Sequence, residues 1–309
     1  MVRREFRPGR RRALGLLASV PVALAMNPTM SAPNSLITRP IPSTGERLPA
    51  IGLGTWQTFD VGGDERARGP LREVLSAMAA DGAKLIDSSP MYGSSESVVG
   101  DLVAELKLRP RLFLATKVWT SGREEGIRQM EQSFRRLRVE QLDLMQVHNL
   151  VDVATHTRTL ADWKQAGRVR YVGITHYTSS AFEEVERWLK GGNYDFLQIN
   201  YSLDEPEAAE RLLPLAQDRN AAVIVNRPFG KGSMFRRTRG KPIPDWAREL
   251  GIASWAQYFL KWIIAHPAVT CAIPGTSKPE HMRDNLGAAH GTLPDAPTRA
   301  RMAGYFASL

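Results

Sequence analysis

An α/β fold of the (β/α)8 TIM-barrel type, preceded by a short β-hairpin plug, is what this sequence predicts, and three observations carry the expectation. From Leu48 onward, short apolar runs of strand character alternate with amphipathic helical stretches. Eight such runs occur, mostly at intervals of roughly 25 to 35 residues, the rhythm of eight βα units. The rival, a doubly wound sheet, usually carries a Gly-rich phosphate loop after its first strand, and Gly52-Leu53-Gly54-Thr55-Trp56-Gln57 lacks the third glycine.

The elements follow in order. Residues 36–51 read as a hairpin that closes the barrel bottom: Leu36-Ile37, a Pro/Gly turn over 42–45, then Leu48. Strands are placed to begin near Ala50, Lys84, Arg111, Leu142, Val169, Tyr194, Ala221 and Ala268. Helical stretches are expected over 70–80, 95–106, 124–137, 182–189 and 207–217. In the first of these Leu71, Val74, Leu75 and Met78 recur at spacings of three and four, a stripe for packing on a sheet. The one long gap, between the seventh and eighth strands, contains 230–244, rich in Gly and basic residues, and is expected to be a mobile loop over a ligand.

Composition narrows the function. The chain has 309 residues, 43% hydrophobic and 24% charged, an ordinary globular balance. Arg3, Arg4, Arg7, Arg10, Arg11 and Arg12 against Glu5 account for +5 of the net +9, and the +4 spread over the remainder calls for no polyanionic partner. A nucleic-acid role is excluded on that ground. The basic start leads into an apolar run over 13–25 that is too short and interrupted to be a stable membrane span. Ala23-Leu24-Ala25 is a small-x-small cleavage site. Arg11-Arg12-Ala13-Leu14, like Arg3-Arg4-Glu5-Phe6, resembles a twin-arginine export signal. Residues 1–25 are therefore expected to engage export machinery, with 26–35 a flexible mature start and 36–309 the barrel. The mature protein is then expected outside the cytoplasm, in the periplasm for instance. Translation from Met26 or Met30 would leave it in the cytoplasm. The single Cys271 lies in the apolar run Val269-Thr270-Cys271-Ala272-Ile273 and reads as a buried structural thiol. A monomer is expected.

The chemistry rests on Asp87, Tyr92, Lys117 and His148, each at or just past the end of a strand-like run. In a parallel barrel the carboxyl ends of the strands share one open mouth, so an acid, a phenol, an amine and an imidazole meet there. That is a proton-transfer set. A carbonyl that accepts hydride develops negative charge on oxygen and needs a proton donor beside it. Tyr92 is the candidate acid. Lys117 is expected to lower its pKa from the ordinary phenol value, Asp87 to hold Lys117, and His148 to orient the carbonyl. Singly each has a plain structural alternative: a helix cap, a surface lysine, a core histidine, a packing tyrosine. In this order at one rim they point to catalysis. Six histidines without a His-x-His pair or a close carboxylate run argue against metal catalysis, and no Gly-x-Ser-x-Gly elbow supports a serine hydrolase.

These motifs resemble the aldo/keto reductase family over nearly all of 36–303. The resemblance is carried by Gly52-Leu53-Gly54-Thr55-Trp56, Asp87 with Tyr92-Gly93, Thr116-Lys117, Val147-His148-Asn149, Ile273-Pro274-Gly275-Thr276-Ser277-Lys278 and Asp284-Asn285. It implies the same four catalytic roles and an NADP cofactor that delivers hydride. It places the carboxamide against Thr175, His176 and Gln198, and the cofactor's tail over Gly275, Thr276, Ser277 and Lys278, with His281 and Asn285 following. A hydroxyl pair beside a lysine at a helix start suits a 2′-phosphate, favouring NADP over NAD. An ordinary helix cap with an exposed lysine is the competing reading. Where many relatives place an aromatic that stacks on nicotinamide, this chain has Asn226, with Arg227 and Phe229 as candidates to compensate. Trp56 and Trp119 are expected to wall the substrate pocket. The alternative from another class is a non-catalytic NADP-binding redox sensor or partner subunit on the same fold.

Overall fold

The computed structural model describes Met1, Val2 and residues 36–309. Past Val2, the expected export signal and the mature start at 26–35 lie outside the described residues. The hairpin is present. Strands β1 (Thr38–Pro40) and β2 (Arg47–Pro49) pair antiparallel, with Arg39 opposite Leu48. The turn between them is closed by Gly45 at φ +77°.

Eight further strands follow: β3 (Leu53–Gly54), β4 (Leu85–Asp87), β5 (Phe113–Val118), β6 (Leu142–His148), β7 (Val169–Thr175), β8 (Phe196–Asn200), β9 (Ala222–Asn226) and β10 (Val269–Ala272). They form one parallel sheet in sequence order. Parallel bridges from Ile51 to Ala272 and from Gly54 to Gly275 close it between its first and last strands. Helices α1 (Glu65–Asp81), α2 (Ser95–Glu105), α3 (Arg123–Leu137), α4 (Val153–Gln165), α5 (Phe182–Gly191) and α6 (Leu212–Asp218) are interleaved with the strands. After β9 come α7 (Ser233–Arg237), α8 (Asp245–Arg248) and α9 (Trp255–Ile264), and after β10 come α10 (Pro279–Gly287) and α11 (Ala296–Ala307). None of the described helices is long and apolar enough to cross a membrane.

Two apolar layers result from the two-residue repeat of a strand, which sends alternate side chains to opposite faces. Leu85, Phe113, Ala115, Leu144, Tyr171, Phe196, Ala222, Ile224, Cys271 and Ile273 fill the barrel interior, and the hairpin contributes Ile41 and Leu48 to the same cluster. The plug is thus part of the interior core. Glu46 reinforces it, accepting hydrogen bonds from Arg170 and from the Tyr171 hydroxyl at the barrel floor. The alternate strand residues, such as Leu114, Met145, Ile174, Leu197 and Val223, pack outward with the apolar stripes of the helices. Gly52 is required by close approach: a Cβ there would lie 2.7 Å from the Leu85 carbonyl oxygen.

Two expectations change. The first helix begins at Glu65, ahead of Pro70, because Asp64 caps it: its carboxylate accepts from the Arg66 and Ala67 amides at 2.9 and 3.3 Å. That cap satisfies two first-turn amides, while Pro70 inside the helix donates no main-chain bond. The second concerns 230–244, whose first half is a short 3-10 turn followed by α7, while 238–244 remains a turn and loop. Met234 is fully buried, and Arg237 bonds Asp204 and the Ala307 carbonyl, so apolar contact and charge fasten the segment. The final helix α11 packs beside α9, with Arg299 and the Tyr258 hydroxyl linking the two.

Candidate active site

The inward series of each strand turns polar at its carboxyl end. Phe113 and Ala115 lead to Lys117, Leu144 leads to Gln146 and His148, Tyr171 leads to Thr175, Phe196 leads to Gln198, and Leu85 leads to Asp87. The parallel register places these ends at one level, pairing His148 with Thr175 and Thr175 with Gln198. Tyr92 arrives from the turn after β4. Its amide bonds the Ser89 carbonyl at 3.0 Å, and Gly93 follows at φ +58°, where a side chain would be strained and would strike the Asp60 carboxylate. That carboxylate accepts from the Ser94 amide and hydroxyl, pinning the turn.

The four expected residues come together. Lys117, fully buried, donates to Asp87 Oδ2 at 2.6 Å and to the Ser88 carbonyl at 2.7 Å. Gln146 and Gln198 donate to the other Asp87 oxygen at 3.1 and 2.9 Å, so both carboxylate oxygens are satisfied. The Lys117 ammonium stands 5.1 Å from the centre of the Tyr92 ring. The His148 ring meets that ring edge-on at 5.8 Å, and Ser89 Oγ lies 3.0 Å from His148 Nδ1.

Burial pushes the Lys117 ammonium toward losing its proton, but Asp87 and then Tyr92 outweigh it, and its pKa is held above the ordinary lysine value. For Tyr92 the balance corrects the expectation from sequence. Burial raises the phenol first, Lys117 pulls it back, Asp87 raises it again, and the net shift is upward. The phenol therefore keeps its proton at neutral pH. His148 is pushed down to about 2 by burial and then by the charges of Lys117 and His176, so it is a neutral imidazole. Cys271 is buried, its thiol pushed up by burial and then by Asp87, which makes it inert.

His148 has a consequence for stability. Its pKa is near 6.5 when unfolded and about 2 when folded, so the unfolded chain takes the proton first. The stabilisation is complete above 6.5 and is lost as pH falls from 6.5 toward 2. Below that threshold the slope approaches about 1.4 kcal/mol per pH unit. His266, held down to about 4 by burial and then Arg299, acts in the same sense. Urea unfolding over a pH series should show the decline, and His148→Gln should flatten it. An identical slope in the variant would mean that His148 takes up its proton freely when folded.

A cavity of about 390 Å³ opens above this set, with Asp87, Tyr92, His148, Thr175, Gln198, Asn226, Arg227 and Gly275 among its lining residues. Trp56 (43% exposed), Trp119 (41%) and Tyr177 (44%) stand at it with Met91. A second cavity of about 460 Å³ shares Gly275 and is lined by Thr276, His281, Asp284 and Asn285, with Phe229 and Phe235. Apart from Met1 and Val2, every exposed large apolar side chain among the described residues lines one of the two. Of the expected cofactor contacts, His176, Ser277 and Lys278 line neither cavity. Thr276 turns its hydroxyl to the Lys278 amide at 3.0 Å, a local turn ahead of α10 that leaves the oxygen partly spent. Asn226, where an aromatic was the comparison, donates to the His176 carbonyl at 3.0 Å while its own amide oxygen is buried without a partner among the described residues.

Sequence reasoning assigned no role to Ser89, Met91, Gln146, Asn149, Tyr177 or Lys231. Gln146 had a signal: it stands two residues before His148 and so shares its inward face. Tyr177 and Lys231 lie in loops, where no periodicity tells which way a side chain points.

The aldo/keto reductase family model matches residues 50–299. The chain is 30% identical over 258 residues to methylglyoxal reductase YeaE of Escherichia coli (strain K12), spanning 81% of this chain and 88% of that one. It is 24% identical over 316 residues to an NADH-specific methylglyoxal reductase of the same organism, spanning 83% and 94%. In three dimensions it resembles the crystal structure of an aldo/keto reductase from Klebsiella pneumoniae in complex with NADP and acetate. The TM-score is 0.73 at 26% identity, over 85% of this chain and 93% of that one.

Proposed function

Because the chain belongs to the aldo/keto reductase family, we propose that it is an NADPH-dependent reductase of aldehyde or ketone groups with Tyr92 as the general acid. The observation that carries this reading is the buried Asp87–Lys117 pair set against the Tyr92 ring, with neutral His148 beside it under an aromatic rim. A carbonyl oxygen that turns into an alkoxide is far more basic than a phenolate, so a phenol that holds its proton until that moment is a suitable donor. Lys117 stabilises the phenolate left behind, Asp87 keeps the ammonium in place, and His148 offers a hydrogen bond that orients the carbonyl oxygen. A bound nicotinamide would supply the hydride, which no side chain can provide.

The residues fit such a cofactor. The two cavities meet at Gly275, which suits a long ligand with two different ends, and the unpaired Asn226 oxygen offers an acceptor at the reacting end. Thr175, Gln198, Asn226 and Arg227 would hold that end, and Thr276, His281 and Asn285 the other. Exposed Lys278, near the start of α10, supports a 2′-phosphate and hence NADPH. The rim of Trp56, Met91, Trp119 and Tyr177 suits carbonyls with a flat or apolar body.

Fluorescence titration of the purified protein with NADPH and NADH, followed by NADPH oxidation against carbonyls from methylglyoxal to aromatic aldehydes, tests the reading. Tighter NADPH binding and turnover that favours the larger aldehydes are expected. Binding with no turnover of any carbonyl would instead favour the sensor or partner role, and absence of nucleotide binding would sink both.

A further inference from the structure

We propose that Ser89 is a positioning residue: its hydroxyl donates to His148 Nδ1, fixes the Nε2–H tautomer, and thereby makes His148 a hydrogen-bond donor toward the substrate carbonyl. This rests on the reductase reading above. Ser89 is fully buried, and its Oγ lies 3.0 Å from Nδ1. The Met91 amide approaches the same oxygen at 3.4 Å, occupying its accepting side. A serine hydroxyl has one proton to place. Among the described residues, Nδ1 is the acceptor it reaches, and a buried hydroxyl without an acceptor is costly.

A neutral imidazole also carries one proton, on one nitrogen or the other. Burial and the Lys117 charge keep His148 neutral. If Nδ1 accepts from Ser89, the proton sits on Nε2. That nitrogen has no hydrogen-bond partner among the described residues, and His148 lines the cavity. In the opposite tautomer Nε2 would turn a lone pair toward the carbonyl oxygen, which repels, and the Ser89 proton would be stranded. The turn over 89–92 therefore has two tasks. It delivers the Tyr92 phenol and, from its first residue, sets which face of the imidazole can donate. No sequence period announces this, because Ser89 lies past the end of β4.

The test is a long-range nitrogen–proton NMR correlation on full-length protein labelled in its histidine rings, with His148 assigned by its loss in His148→Gln. Wild type is expected to show a pyridine-type Nδ1 and a pyrrole-type Nε2. Ser89→Ala should shift that pattern toward a tautomer mixture and lower kcat for aldehyde reduction about tenfold, with NADPH affinity unchanged. Ser89→Thr, which restores a hydroxyl, should recover both. A wild-type His148 protonated at Nδ1 overturns the proposal, as does a Ser89→Ala protein with the wild-type tautomer and kcat. Should the tautomer follow Ser89 while wild type reduces no carbonyl, the Ser89–His148 link stands and the reductase reading falls, taking the substrate role of this bond with it.

Discussion

Replacing Tyr92 by phenylalanine is expected to lower kcat for carbonyl reduction by roughly 10²- to 10⁴-fold, the range a positioned general acid contributes. NADPH affinity should be unaffected, because the change removes one oxygen from the cavity and leaves the ring against His148 and Lys117. The size of the loss follows from the environment. On the proposed reading the half-buried phenol, its pKa raised above the ordinary value, keeps its proton at neutral pH and is the group ready to protonate the oxygen that receives negative charge. His148 cannot stand in for it, being neutral with a pKa of about 2 and able to share its proton but not to part with it readily. Steady-state kinetics with one good aldehyde, paired with nucleotide titration, measures both quantities. Turnover within a few-fold of wild type would move the acid elsewhere.

Lys117→Met is expected to have the largest effect on stability. It leaves Asp87 buried with two neutral amide donors and no cation, a loss of about 3–5 kcal/mol for breaking one side of a buried ion pair. Removing both charges in Asp87→Asn/Lys117→Met should recover much of that loss, since the introduced carboxamide oxygen could still accept from Gln146 and Gln198 and no buried charge remains. Activity should not return with it, because on the proposed reading the double variant lacks the ammonium needed to stabilise the phenolate. Urea unfolding of the two single variants and the double variant separates the contributions. Additive stability losses would show that the pair is not coupled.

The barrel was legible because its signals are local. Short apolar runs at a regular interval, together with the missing third glycine after Gly54, define the alternation, and the observed strands begin within a few residues of the places expected for them. The identities of Asp87, Lys117 and His148 were legible for the same reason: each stands at or one residue before the end of a strand whose alternate residues must face one way. The hairpin announced itself by its turn, yet only the packed interior reveals that Ile41 and Leu48 belong to the same cluster as Phe113 and Tyr171. Helix α7 was missed where a loop was expected. Gly and basic residues have little preference for structure by themselves, and it is Met234 in the core and Arg237 against Asp204 that order them.

Read alone, the chain settled which chemical groups stand at the barrel mouth and in what order, since side-chain alternation is a property of the backbone of each strand. Only the folded molecule decided how those groups behave. Depth of burial outweighs the nearby ammonium and keeps the Tyr92 phenol protonated, reversing the direction expected from adjacency alone. Register brings Gln146 and Gln198 to the same Asp87 oxygen from strands far apart in sequence. A turn residue with no periodic signature, Ser89, lies behind His148. Solvation and hydrogen-bond partners depend on distances across the barrel, and those are set when the sheet closes on itself.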